Sequence, residues 1–161
     1  MKLYHGSTDI VDKPRILVSE RYLDFGYGFY TTTNIEQARR WAEIKKDRIH
    51  GSTAYINVYK MDDTTLADKS FRLLEFRKPN RDWLEFVINN RRGKGGHNYD
   101  WVKGAVANDT LYQTLSLYES GILTVEETIV RLKVHRLFDQ VSFHSEKILE
   151  KLHFVEARIL S

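Results

Sequence analysis

Apolar and polar positions along the chain sort into short alternating stretches and a few helical stripes. Met1 to His5 reads as a first strand, and residues 6–25 lack a sustained apolar period and carry Pro14, so they read as loop. Phe29 to Thr33 returns to strand character, and Asn34 follows with a short polar side chain suited to capping a helix. Ile35, Ala38, Trp41 and Ala42 then recur at three and four residues, which places one apolar face on that helix. Ala54 to Tyr59 is rich in β-branched and aromatic residues and reads as a strand.

Pro79 and Asn80 open a second helix, with Trp83, Phe86 and Val87 on its stripe. Arg91 to His97 breaks that helix as a glycine-rich basic loop, and Tyr99 to Ala107 alternates well enough for a strand. Asn108 and Asp109 offer a cap for a helix through Leu117, which Gly121 ends. Thr124 with Glu127 three residues on is a capping-box pattern for the next helix. Val141 to His144 reads as a strand, Ser145 to Leu152 as a short helix, and Phe154 to Leu160 as a closing strand. Strands and helices mix without regular βαβ alternation, and no repeat or linker divides the chain. The expectation is one α+β domain over residues 1–161, with a split antiparallel sheet and flanking helices.

Composition narrows the chemistry. The 161 residues contain no Cys, which excludes disulfides, thiol catalysis, Cys-ligated zinc and iron–sulfur clusters. The six His are scattered with no His-x-x-x-His pair, so no catalytic metal is expected. No apolar run approaches the ~20 residues of a membrane span and no cleavable signal opens the chain, so a cytoplasmic protein without membrane contact is expected. The net charge of +3 permits an anionic or nucleic-acid partner without demanding one.

Three fragments carry candidate chemistry: Tyr4-His5-Gly6-Ser7, Gly26-Tyr27-Gly28-Phe29-Tyr30-Thr31-Thr32, and Asp139-Gln140-Val141-Ser142-Phe143. In this order and over residues 4 to about 154, they resemble the ADP-ribosyltransferase family, and its small bacterial members most closely. The resemblance implies an ADP-ribosyltransferase-like fold and cleavage of NAD, as substrate, at the nicotinamide–ribose bond, with transfer of a single ADP-ribose. It implies that His5, Gly6 and Ser7 hold NAD, and that Gly6 spares a Cβ where the carboxamide would approach the backbone. Tyr30 and Trp41, eleven residues apart, would sandwich nicotinamide, with Trp41 in place of the family's usual Tyr.

Gln140 stands where many such transferases carry Glu; it keeps a carbonyl acceptor for the ribose but loses the negative charge. His5, Tyr30 and Gln140 are therefore the expected catalytic set. Asn108 and Asp109 could supply the missing carboxylate or bind the acceptor, although a plain helix cap explains them equally well. Arg91, Arg92 and Lys94 are the candidate contacts for a polyanionic acceptor, and a solvated hairpin explains them without one. The acceptor itself, protein or nucleic acid, stays open. NAD glycohydrolase activity and an inactive NAD- or nucleic-acid-binding module remain as alternatives. The resemblance also implies a toxin of a toxin–antitoxin or phage-defence module, with an antitoxin as a neutralising partner.

Overall fold

The computed structural model describes residues 1–18, 23–93, 96–107, 109–132 and 138–161, with the side chains of residues 109–111 outside that description. Among these the order is β1 (Lys2–Ser7), β2 (Phe29–Thr31), α1 (Ile35–Arg48), β3 (Ala54–Lys60), α2 (Asp63–Ala67), β4 (Leu73–Glu75) and α3 (Arg81–Arg91). There follow β5 (Trp101–Ala105), α4 (Asp109–Glu119), α5 (Val125–Leu132), β6 (Asp139–Phe143), α6 (Glu146–Leu149) and β7 (His153–Leu160).

The strands form two sheets in a mixed α+β arrangement. One runs β1-β3-β7 and is antiparallel throughout; the other runs β2-β6-β5-β4. In the second sheet β4 lies parallel to β5, so the sheets are not wholly antiparallel as the sequence suggested. A parallel neighbour needs a crossover, and α3 lies in the chain between β4 and β5. The sheets meet where Tyr4 and Thr32 exchange two backbone hydrogen bonds of 2.9 Å, joining β1 to β2.

Capping side chains set several helix starts. Asn34 accepts from the Glu36 and Gln37 N–H groups, Asn80 accepts from the Trp83 N–H, and Thr124 Oγ1 accepts from the Glu127 N–H. Gly121 leaves α4 at φ +77°, a conformation costly for a side chain with a Cβ. Elements differ from the sequence reading mostly at their ends. β5 spans Trp101–Ala105 rather than residues 99–107, α6 is a single turn, and α2 and β4 had no local signal.

The second sheet packs a hydrophobic core against each of its faces. Phe29, Val141, Phe143 and Trp101 face one core with Leu3, Tyr59 and Ile148. Tyr30, Val102 and Leu74 face another, with Phe25, Trp83, Leu115 and Leu132. Gln140 lies two residues from Ser142, which pairs with Tyr30, so period-two alternation puts Gln140 on the Tyr30 side. That alternation aims the two candidate site residues of this sheet the same way.

Helix α1 packs on β1 at very close range. A Cβ built on Gly6 would stand 2.0 Å from the Ala38 carbonyl oxygen and 2.6 Å from the Ala42 nitrogen. The glycine and the two alanines together let backbone meet backbone. This contact alone accounts for Gly6, without a ligand's approach. No described helix is long and apolar enough to cross a membrane.

Candidate active site

A cavity of about 440 Å³ opens between the two sheets. His5 from β1, Tyr30 from β2, Trp41 from α1 and Gln140 from β6 all line it. Asp24, Gly28, Lys45 and Tyr112 line it as well. A second cavity of about 590 Å³ shares His5, Leu17, Phe29 and Lys45 with the first and is lined beyond them by Ser7, Asp9, Lys13 and Arg15. His5 and Lys45 thus stand between an aromatic chamber and a strongly charged one.

His5 has a fixed tautomer. Its Nδ1 lies 2.7 Å from the Tyr30 carbonyl oxygen, which can only accept, so Nδ1 carries the proton and donates. Nε2 is left as an unprotonated acceptor on a ring that lines both cavities. Burial, then the charge of nearby Lys45, push the His5 pKa down to about 3. The ring is neutral throughout the physiological range. Lys45 Nζ donates to the Gly6 carbonyl at 2.8 Å, and burial lowers its own pKa.

Tyr30 splits its roles between ring and hydroxyl. The hydroxyl donates to the Gly26 carbonyl at 2.6 Å and accepts from the Phe25 N–H at 3.1 Å, stapling the loop before β2. Its ring stacks on Phe25 at 6.5 Å between centroids, and burial raises its pKa far from any titration near neutrality. Gly28 reaches β6 so closely that a Cβ would lie 2.6 Å from the Phe143 carbonyl oxygen. Trp41 is half-buried at the cavity wall, whereas Gln37, Ala38 and Ala42 are the buried residues of its helix.

Gln140 is held through its amide nitrogen. Nε2 donates to Asp24 Oδ2 at 3.0 Å and to the Ala105 carbonyl at 3.2 Å. Both amide hydrogens are therefore used on the protein, and no hydrogen bond among the described residues reaches Oε1. Asp24 also accepts from the Ala107 N–H at 3.1 Å and pairs at 3.9 Å with Arg91. Burial raises the Asp24 pKa, against the opposing pull of Gln140, the Ala107 N–H and Arg91.

Other residues singled out in the sequence sit elsewhere. Ser7 Oγ accepts from the Asp9 N–H in the second cavity and does not line the first. Arg91, assigned above to a basic loop, closes α3 and turns inward, with its guanidinium 3.4 Å from the Tyr112 ring centroid and its Nε toward Asp24. Its side chain is thus largely buried behind Asp24 and Tyr112, two residues that line the cavity. Arg92 pairs with Glu119 at 3.8 Å. Lys94, Asn108 and the Asp109 side chain lie outside the described residues. Asp139 accepts from Thr32 Oγ1, the Thr33 N–H and Thr33 Oγ1, which ties β6 to the end of β2.

Asp24 and Lys45 escaped the sequence reading. Lys45 follows Trp41 by four residues, the spacing that puts two side chains on one helix face. Asp24 stands two residues before Gly26, at the edge of a fragment already singled out.

The buried histidines make stability pH-dependent. His144 is pushed down to about 4, first by burial, and its Nδ1 donates to the Tyr27 carbonyl at 2.7 Å. For both His5 and His144 the folded pKa lies below the ordinary 6.5, so the unfolded chain binds the extra proton first. Their stabilising effect is complete above pH 6.5 and is lost as pH falls toward 4 and then 3. Each histidine contributes a slope of up to about 1.4 kcal/mol per pH unit across that window. Urea unfolding at steps from pH 7 to pH 4 should show a falling midpoint, and a flat profile would contradict the burial of these rings.

No curated protein matches the chain, and no solved structure matches it. One family model does match, over residues 1–154, and the chain belongs to that family, described as Protein of unknown function (DUF3990).

Proposed function

We propose that the protein is an NAD-dependent mono-ADP-ribosyltransferase with an ADP-ribosyltransferase-like fold, acting on a macromolecular acceptor. The observation that carries this reading is the convergence of His5, Tyr30, Trp41 and Gln140 on one cavity from four separate elements. In the reaction the ribose–nicotinamide C–N bond breaks and its electron pair leaves on nicotinamide, which departs neutral. The acceptor's oxygen or nitrogen bonds to the ribose carbon and gives its proton to solvent.

The chain's own residues orient and shield rather than attack. Trp41 and the Tyr30 ring offer flat apolar walls to an aromatic ring. The unprotonated His5 Nε2 accepts a hydrogen bond donated by one ribose hydroxyl, and Gln140 Oε1 accepts one from another. Lys45, between the two chambers, suits a phosphate. Holding the substrate in reacting geometry lowers the barrier without a protein nucleophile.

Incubation with NAD, reading nicotinamide by chromatography and candidate acceptors by intact mass, tests the proposal. Nicotinamide release with an ADP-ribose adduct is expected. Free ADP-ribose without an adduct would make water the acceptor, and no nicotinamide release would overturn the reading. Trp41→Ala should weaken NAD binding by on the order of 1 kcal/mol beyond the lost area. Calorimetric titration measures this cleanly, because Trp41, unlike Tyr30, is not tied into the loop.

A further inference from the structure

We propose that Asp24 is the carboxylate of this site, supplying through space the negative charge that Gln140 lacks and fixing the Gln140 amide so that Oε1 faces the cavity. The inference rests on the reaction proposed above and goes beyond it by assigning its charge to a residue in the segment before β2, outside β6.

The geometry carries the assignment. An amide has one donor end and one acceptor end, and Asp24 Oδ2 at 3.0 Å can only take the donor end. The Ala105 carbonyl takes the second amide hydrogen at 3.2 Å. A flipped Gln140 would set its carbonyl against two acceptors, so one orientation is imposed and Oε1 is turned away from both. Asp24 itself lines the cavity beside Gln140. A carboxylate there faces the cation that forms on the ribose as nicotinamide leaves.

Burial raises the Asp24 pKa, and the surroundings oppose that shift and favour the carboxylate. The Ala107 N–H, two residues beyond β5, donates to Oδ2, and Arg91 of α3 lies 3.9 Å from Oδ1. Arg91 is kept there by the Tyr112 ring of α4. The other titratable groups facing this end of the cavity are Tyr30 of β2, His5 of β1 and Lys45 of α1. Of these, His5 titrates near 3 and Tyr30 far above neutrality, so neither produces a limb in a rate profile between pH 4 and 8.

Nicotinamide release by the unchanged chain, Asp24→Asn, Gln140→Glu and the double variant tests the assignment, with NAD affinity measured in parallel. Asp24→Asn should lower kcat by about 100-fold while changing NAD affinity far less. Gln140→Glu should also be poor, because it sets two carboxylates within hydrogen-bonding reach and forces one to stay protonated. The double variant moves the charge to position 140 and should exceed Asp24→Asn by about tenfold or more.

The unchanged chain should show an acidic limb in its rate–pH profile, and Arg91→Gln should move that limb to higher pH, because a cation that favours ionised Asp24 is gone. The Arg91 variant keeps Asp24 and Gln140, so it tests the assignment even where Asp24→Asn fails to fold. Asp24→Asn within about threefold of the unchanged chain, or an acidic limb unmoved by Arg91→Gln, would overturn this inference alone. No nicotinamide release by the unchanged chain would overturn the proposed reaction with it.

Discussion

Replacing Gln140 with Ala should cut nicotinamide release by about 100-fold, the usual cost of removing one positioned polar group from a reacting centre. Two losses combine. The cavity loses Oε1, an acceptor that no described residue competes for, and Asp24 loses the donor that holds it at 3.0 Å. The second loss leaves a buried carboxylate oxygen with one donor fewer, a penalty of about 1–3 kcal/mol to stability. Thermal unfolding therefore has to accompany the kinetics. Single-turnover release that falls while NAD affinity changes little identifies a group acting in the reaction rather than in binding. Unchanged release in folded Gln140→Ala would remove this residue from the site.

Gly6→Ala should be among the most destabilising single substitutions in the chain, at about 3 kcal/mol or more. The added methyl meets the Ala38 carbonyl oxygen at 2.0 Å, and both partners are backbone, so no rotamer change relieves the clash. Helix α1 would have to lift from β1, carrying Trp41 and Lys45 with it. For a chain of this size that corresponds to a Tm lower by roughly 6–12 °C. Gly96→Ala is the matching control, since a Cβ there meets nothing within 4 Å. Its unfolding should stay within about 0.5 kcal/mol of the unchanged chain. A Gly6→Ala protein as stable as its parent would mean that α1 and β1 are not packed this closely.

The same contact bears on how the His-Gly-Ser fragment is understood. From the sequence, Gly6 reads as a place kept open for a ligand. In the fold the space belongs to a helix, and it is His5 and Lys45 that line the cavity at that end. Lys45 reaches the Gly6 carbonyl, so one backbone step serves packing and the cavity together.

Local physics made much of the chain legible from its sequence. Asn34, Asn80 and Thr124 cap helices with groups two or three residues away, and Ala54 to Tyr59 forms a strand where β-branched and aromatic residues cluster. Gly121 marks a helix end by its positive φ, and Tyr30 with Trp41 could be singled out by spacing. Each signal spans about three turns of helix or less, and short-range sterics and hydrogen bonding are enough to produce it.

The tertiary structure decided the rest, because the deciding partners are far apart in the chain. Asp24 meets Gln140 across 116 positions, and no pattern around either residue announces the pair. Arg91 stands in a basic stretch, yet Tyr112 and Asp24 draw its guanidinium inward. The three residues of β4 are too short to declare a strand, and only pairing with β5 makes them one. Burial between two sheets is also what keeps His5 neutral and raises the Asp24 pKa, since desolvation penalises charge only after the fold has excluded water.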